Sequence, residues 1–199
     1  MPPSKRDELI DAAMRVFYRH GFHGSGLDKV LQEGGISRMT LYNHFKSKDE
    51  LIVAALRRRD EIFRNRMMKY VESRAAHPIE RLEAVFDFHE AWFDEKDFSG
   101  CMFINASAEF ENPQSPIRHV AAEHKRAIVR YLTEQCEQAG LPDPKELAEQ
   151  LNLLVEGSIV TAQVVGQVGG AGVTPGDAAR RAKQAARRLI NDARESLAS

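Results

Sequence analysis

An all-α fold is predicted for this chain by three observations. Apolar residues recur at three- and four-residue spacing through most of the sequence, capping residues and prolines open the periodic segments while glycines close them, and no segment shows sustained period-two alternation or an Asn-Gly type hairpin turn. About nine helices are expected, with no internal repeat.

The first helix starts at Ser4, a capping residue followed by the first-turn acids Asp7 and Glu8; Leu9, Ile10, Ala13, Val16 and Phe17 supply its apolar face and Gly21 ends it. Leu27, Val30 and Leu31 form a second, short helix that Gly34 and Gly35 interrupt. Ser37 is placed to cap a third, in which Leu41 and Phe45 share a face. The run Ser47-Lys48-Asp49-Glu50 reads as a capping box that launches a long helix through Leu51, Leu56, Ile62, Phe63 and Met67 to about Arg74, linking the small N-terminal unit to the rest. Pro78 opens an amphipathic helix carrying Ile79, Leu82, Val85, Phe86, His89 and Phe93 and ending near Asp97. After the Phe98-Ser99-Gly100 break, CMFINASAEFE forms a short apolar helix that stops before Asn112-Pro113. Residues 116 to 139 form a long helix closed by Gly140. Pro142 and Pro144 open one that is apolar on most sides from Leu151 to Val168, and beyond the GGAGVTPG loop a helix rich in Ala and Arg fills residues 177 to 197.

With 43% hydrophobic and 29% charged residues, the 199-residue chain can bury a proper core, and its formal net charge is -1. That charge is unevenly spread: residues 1 to 60 hold eleven Lys and Arg against eight Asp and Glu, a surplus of three, so residues 61 to 199 sum to minus four. A local positive surplus is what a polyanion-binding end requires. Cys101 and Cys136 make neither a disulfide framework nor a paired metal motif, so two buried thiols in a reducing cytosol are expected. No apolar run has the length of a signal peptide core or a membrane span. An enzyme is not expected either, and no metal or cofactor is called for. His119 and His124 are five apart and so on different helical faces, there is no G-x-S-x-G or P-loop, the Gly166 to Gly172 run follows no strand, and Glu109 and Glu111 diverge on their helix.

Between Gly34 and Lys48 there is no Asp or Glu, while Ser37, Arg38, Thr40, Tyr42, Asn43, Lys46 and Lys48 can all meet phosphates or base edges. A solvated surface helix normally carries mixed charge. At the other end, a helix that is apolar almost all round must bury more than one face. Two-fold pairing of residues 146 to 168 and 177 to 197 with their copies in a four-helix interface satisfies that need, and Gly157, Ser158, Ala162 and Gly166 would permit close approach. Burial at the centre of a monomeric bundle would satisfy it too.

The segment ISRMTLYNHFKSKDEL resembles the signature of the TetR (TetR/AcrR) family of bacterial transcriptional regulators, and the resemblance extends from Ser4 to about Leu56. Gly21-Phe22, Ser25, Leu27 to Gly34, Gly35-Ile36-Ser37, Leu41-Tyr42-Asn43-His44-Phe45 and Ser47-Lys48-Asp49-Glu50-Leu51 carry it, and GCMFINASAEF is similar to a stretch in some members. Two residues depart from the family pattern: Gly26 replaces the usual second hydroxyl, removing a candidate phosphate contact and weakening that cap, and Met39 replaces a frequent glycine and could touch a thymine methyl. The resemblance implies a helix-turn-helix DNA-binding domain over residues 1–50 (the motif at about 26–45) and a larger effector-binding and dimerisation domain over 51–199. It also implies a cytoplasmic homodimeric repressor that binds a palindromic double-stranded DNA operator and is released by a small-molecule effector. Arg38, Met39, Thr40 and Asn43 are the candidates for base edges. Ser25, Ser37, Tyr42, His44, Lys46 and Lys48 are those for phosphates, with Gly26 beside them; a His44 bonded to its own backbone is the other reading of that residue. Effector candidates are the aromatic, Met and polar residues of the middle helices: Phe63, Met67, Phe86, His89, Trp92, Phe93, Met102, Phe103, Asn105, Phe110 and Gln163. A helical small-molecule-binding or protein-interaction module without specific DNA binding is the rival reading, slightly favoured by Gly26.

Overall fold

The computed structural model describes residues 4–166 and 174–197, and it bears out the all-helical expectation. Among the described residues there are nine α-helices, one π-helical segment and no strand: α1 Lys5–His20, α2 Leu27–Gly34, α3 Arg38–His44, α4 Lys48–Arg74, α5 Pro78–Phe93, α6 Met102–Glu109, α7 Pro116–Gln138, α8 Pro144–Thr161, the π segment Ala162–Gly166, and α9 Pro175–Glu195. None of these helices is long and apolar enough to cross a membrane. The chain forms two compact units, Met1–Phe63 with Cys101–His124, and Arg64–Gly100 with Lys125–Ser199, so α4 and α7 contribute residues to both.

In the first unit, α1 begins as its sequence dictates: the Ser4 hydroxyl accepts the Asp7 amide, and Leu9, Ile10, Ala13, Val16 and Phe17 are buried. Gly21 ends the helix with φ 74°, a left-handed backbone that glycine adopts without strain. The Ser47 hydroxyl accepts the Glu50 amide at 3.2 Å, but the Glu50 carboxylate reaches back to the Lys46 N–H at 2.7 Å instead of that of Ser47, so the capping box is displaced by one residue. Deeper in this unit the buried His124 places Nδ1 2.7 Å from an Asp60 oxygen and stacks on Phe103 at 3.7 Å between ring centroids.

In the second unit, α5 opens with Pro78 behind a His77 ring nitrogen that accepts the Ile79 amide. It ends at Phe93, short of Asp97, because the chain turns through Glu95 and Phe98 to bring Phe98 edge-on to Trp92. Helix α9 packs antiparallel to α5 through a ladder of charges. The Gly176 amide donates to Asp94, Arg180 pairs with Glu90, Lys183 with Asp87, and Arg187 with Glu83. It starts two residues earlier than expected, since Pro175 takes the first helical position behind a Thr174–Asp177 capping box. The Arg180 guanidinium and the Thr174 amide together hold the Asp177 carboxyl down to about 2. The apolar helix expected to run to Val168 stops being α-helical at Thr161 and widens into the π segment. Gln167, Val168 and most of the glycine-rich loop lie outside the described residues. Both cysteines are buried, and burial pushes the Cys136 thiol up to about 11.

Candidate nucleic-acid interface

Helices α2 and α3 are set against each other by the turn at Gly35. Its φ of 61° is left-handed, the Gly35 and Ile36 amides close α2 onto Gln32 and Leu31, and a Cβ there would meet nothing within 4 Å, so conformation and not space requires the glycine. Ser37 then caps α3, its hydroxyl accepting the Thr40 amide at 3.2 Å and pairing with the Thr40 hydroxyl at 2.9 Å. One side of α3 is anchored by Leu41, with Ile36 and Phe45 buried at either end. The opposite side is open: Arg38, Met39, Tyr42, Asn43 and His44 are exposed, Met39 to 75%, and so are Ser37 and Lys46 on either side of the helix, while Thr40 and Lys48 are half-buried. The exposed His44 makes no hydrogen bond to its own backbone among the described residues.

Ser25 is a correction. It is fully buried and its hydroxyl has no partner, so this side chain is closed to a phosphate. The signal that misleads is the hydroxyl itself, which reads the same in sequence whether it faces solvent or core. Gly26, at the cap of α2, makes no side-chain cap bond, and a Cβ there would have open space.

Two acids without a place in the expected site turn out to organise it. Asp28 of α2 ion-pairs with Arg38 of α3. Glu109, at the end of α6, accepts the Phe22 amide at 2.9 and 3.0 Å and the His23 amide at 2.6 Å, while Phe110 lies edge-on to Phe22 and tilted against His23. A Cβ on Gly21 would come within 3.0 Å of the Glu109 carboxylate. The turn leading into α2 is thus held by a side chain 87 residues away.

The effector candidates divide between the units. Phe63, Met102 and Phe103 are buried in the first, where Asn105 and Phe110 are half-buried. The ring of Phe110 lies against Phe22 and His23 in the turn before α2, while its carbonyl accepts from Arg118 of α7 at 3.4 Å. Met67, Phe86, His89, Trp92 and Phe93 are buried in the second unit. His89 Nδ1 lies 2.7 Å from the Val85 carbonyl, which makes that nitrogen the donor. Gln163 donates to the Ser99 carbonyl at 3.4 Å and lies across Gly100, where a Cβ would sit 2.1 Å from its amide carbon.

A helix buried on one side, free of acids on the other and fixed by a left-handed glycine to the helix before it is a helix-turn-helix, the arrangement that lays its second helix in a major groove. The class is that of DNA-binding regulators. Residues 9–55 match the family model described as bacterial regulatory proteins, tetR family, and residues 78–172 match the tetracyclin repressor-like C-terminal domain. These matches take in well over half of the chain, which belongs to the TetR family of bacterial transcriptional regulators. It is 26% identical over 159 residues to the transcriptional regulator LmrA of Bacillus subtilis, covering 78% of this chain and 84% of the relative. To the transcriptional activator FasR of Mycolicibacterium smegmatis it is 33% identical over 137 residues, 68% of this chain and 56% of the relative. The crystal structure of a TetR-family transcriptional regulator from Streptomyces coelicolor superposes with a TM-score of 0.84 at 26% identity, covering 94% of this chain and 95% of the other.

Proposed function

We propose that the chain acts as a homodimeric repressor whose two α3 helices read a palindromic operator and whose DNA affinity is set by a small molecule. Residues 1–50 carry the DNA reading and residues 51–199 the effector and dimer functions. The observation that carries this reading is the exposed, acid-free face of α3. Arg38, Met39, Thr40 and Asn43 address base edges; Ser37, Tyr42, His44, Lys46 and Lys48 address phosphates. Dimer formation is supported by α8, which buries Leu151, Val155 and Ile159 on one side and exposes Leu153, Val160 and, in the π segment, Val164 and Val165 on the other. An exposed apolar stripe of this kind fits a second copy. A multidrug binding protein of the same fold, 22% identical, is complexed with malachite green, which supports an organic molecule as the effector. The effector reaches DNA by binding two dimer conformations with different affinity.

Fluorescence anisotropy of the protein with duplexes flanking its own gene, at several salt concentrations, tests the reading. A specific complex whose log affinity falls steeply with log salt is expected. Binding that is equal for every duplex, or absent from all of them, would overturn it.

A further inference from the structure

The reading surface is free of acids along α3, yet α2 puts one carboxylate beside it. Asp28, in the first turn of α2, has 77% of its side chain exposed and pairs with Nη2 of Arg38, the first residue of α3. The other acid of α2, Glu33, turns the opposite way and binds Arg15 of α1 at 2.8 Å. An exposed carboxylate this close to a phosphate-facing surface lowers affinity for every duplex. Its position at a helix start suits the α2 dipole, but that would be served equally by an acid pointing away from α3.

The pairing with Arg38 accounts for the cost. A guanidinium is a planar fork with five donors, and the contact with Asp28 occupies one hydrogen of Nη2, leaving the rest for another acceptor. Held by Asp28, a long and flexible side chain loses less freedom on binding, and it is kept from swinging onto a neighbouring phosphate. What remains on offer is a two-donor edge, the complement of guanine O6 and N7.

We propose that Asp28 is a positioning residue for Arg38, trading general DNA affinity for discrimination of one G·C pair. The proposal rests on the reading that α3 enters the major groove. Asp28 itself does not touch the base; a carboxylate that accepted from cytosine N4 would be a different device, and the experiment separates the two.

The probe is a duplex selected by the wild-type protein from a randomised pool, with its single base-pair variants and an unrelated duplex as controls. Arg38→Ala identifies the base pair that Arg38 reads. At that pair Asp28→Asn is expected to lose discrimination about tenfold, while its affinity for the unrelated duplex stays equal or rises. Asp28→Glu should recover part of the discrimination, and Asp28→Asn should add nothing once Arg38 is alanine. The proposal is overturned if Asp28→Asn keeps full discrimination, loses it at a different base pair, or loses it in the Arg38→Ala background, or if Arg38→Ala changes no base preference. Failure of the wild type to select any sequence would overturn the groove reading itself, and this proposal with it.

Discussion

Replacing Glu109 by alanine should destabilise the unit that holds α2 and α3 by about 2 kcal/mol. The carboxylate receives the Phe22 amide on both oxygens and the His23 amide on one, at 2.6 to 3.0 Å. His23 is exposed, so its N–H regains water when the carboxylate goes; Phe22 is wholly buried, so its N–H is stranded. A stranded buried donor costs about 1–3 kcal/mol, and a bond to a charged acceptor is worth about 1.5–3. Because the Glu109 side chain is 26% exposed, water softens both, and about 2 kcal/mol is the expected loss. In urea, at fixed protein concentration and with a slope of about 2 kcal/mol per molar, the midpoint should fall by about 1 M with the slope unchanged. Glu109→Gln keeps a carbonyl acceptor without the charge and should fall about half as far. A Glu109→Ala midpoint within about 0.2 M of the wild type would show that the Glu109 clamp holds nothing.

Lys48→Ala should weaken operator and unrelated duplexes by the same factor and lower the salt slope by about 1, as read by anisotropy titration; a loss confined to particular base pairs would remove Lys48 from the phosphate set. Val164→Asp places a charge in the exposed apolar stripe that runs from α8 into the π segment and should convert a dimer into monomers in sedimentation velocity, because an unpaired buried charge costs several kcal/mol. An unchanged dimer would move the interface elsewhere. The low pKa of Asp177 makes its contribution to the α9 cap complete above its ordinary value near 3.8 and lost as pH falls through about 2. The melting-temperature gap between wild type and Asp177→Asn should hold steady at neutral pH and close in acid; a gap that persists at pH 2 would contradict the sign.

Those features of the fold that one stretch of chain specifies by itself were legible in the sequence. Ser4, Ser37 and Ser47 announced helix starts through hydroxyls that accept amides three residues on, and Gly21 and Gly35 announced ends that only a left-handed backbone can make. Spacing also separated Leu41 and Phe45 from the open face of α3, because a period of 3.6 residues reports which side is buried. It does not report what the side is buried against. Ser25 has the composition of a surface residue and the environment of a core one. The partnership of Glu109 with Phe22 spans 87 residues, and nothing local distinguishes that carboxylate from Glu111. The ring of Phe110 reads in sequence like any other on the middle helices, and only the fold sets it against Phe22 and His23. The π segment escaped for a further reason: one extra residue per turn changes no composition, and apolar residues continue through it.

The unit that holds α3 also has a history on the ribosome. It is assembled from two separated stretches of chain, so when Phe63 leaves the exit tunnel the segment carrying Glu109 and Phe110 has not yet emerged. At about 5–20 residues per second, several seconds pass before Glu109 and Phe110 follow. Throughout that interval Phe22 and its amide lack their partners on α6, and the nascent chain shows apolar surface that the finished protein covers. Its capacity to grip DNA is therefore completed late in synthesis, although the residues that do the reading are among the first to be translated.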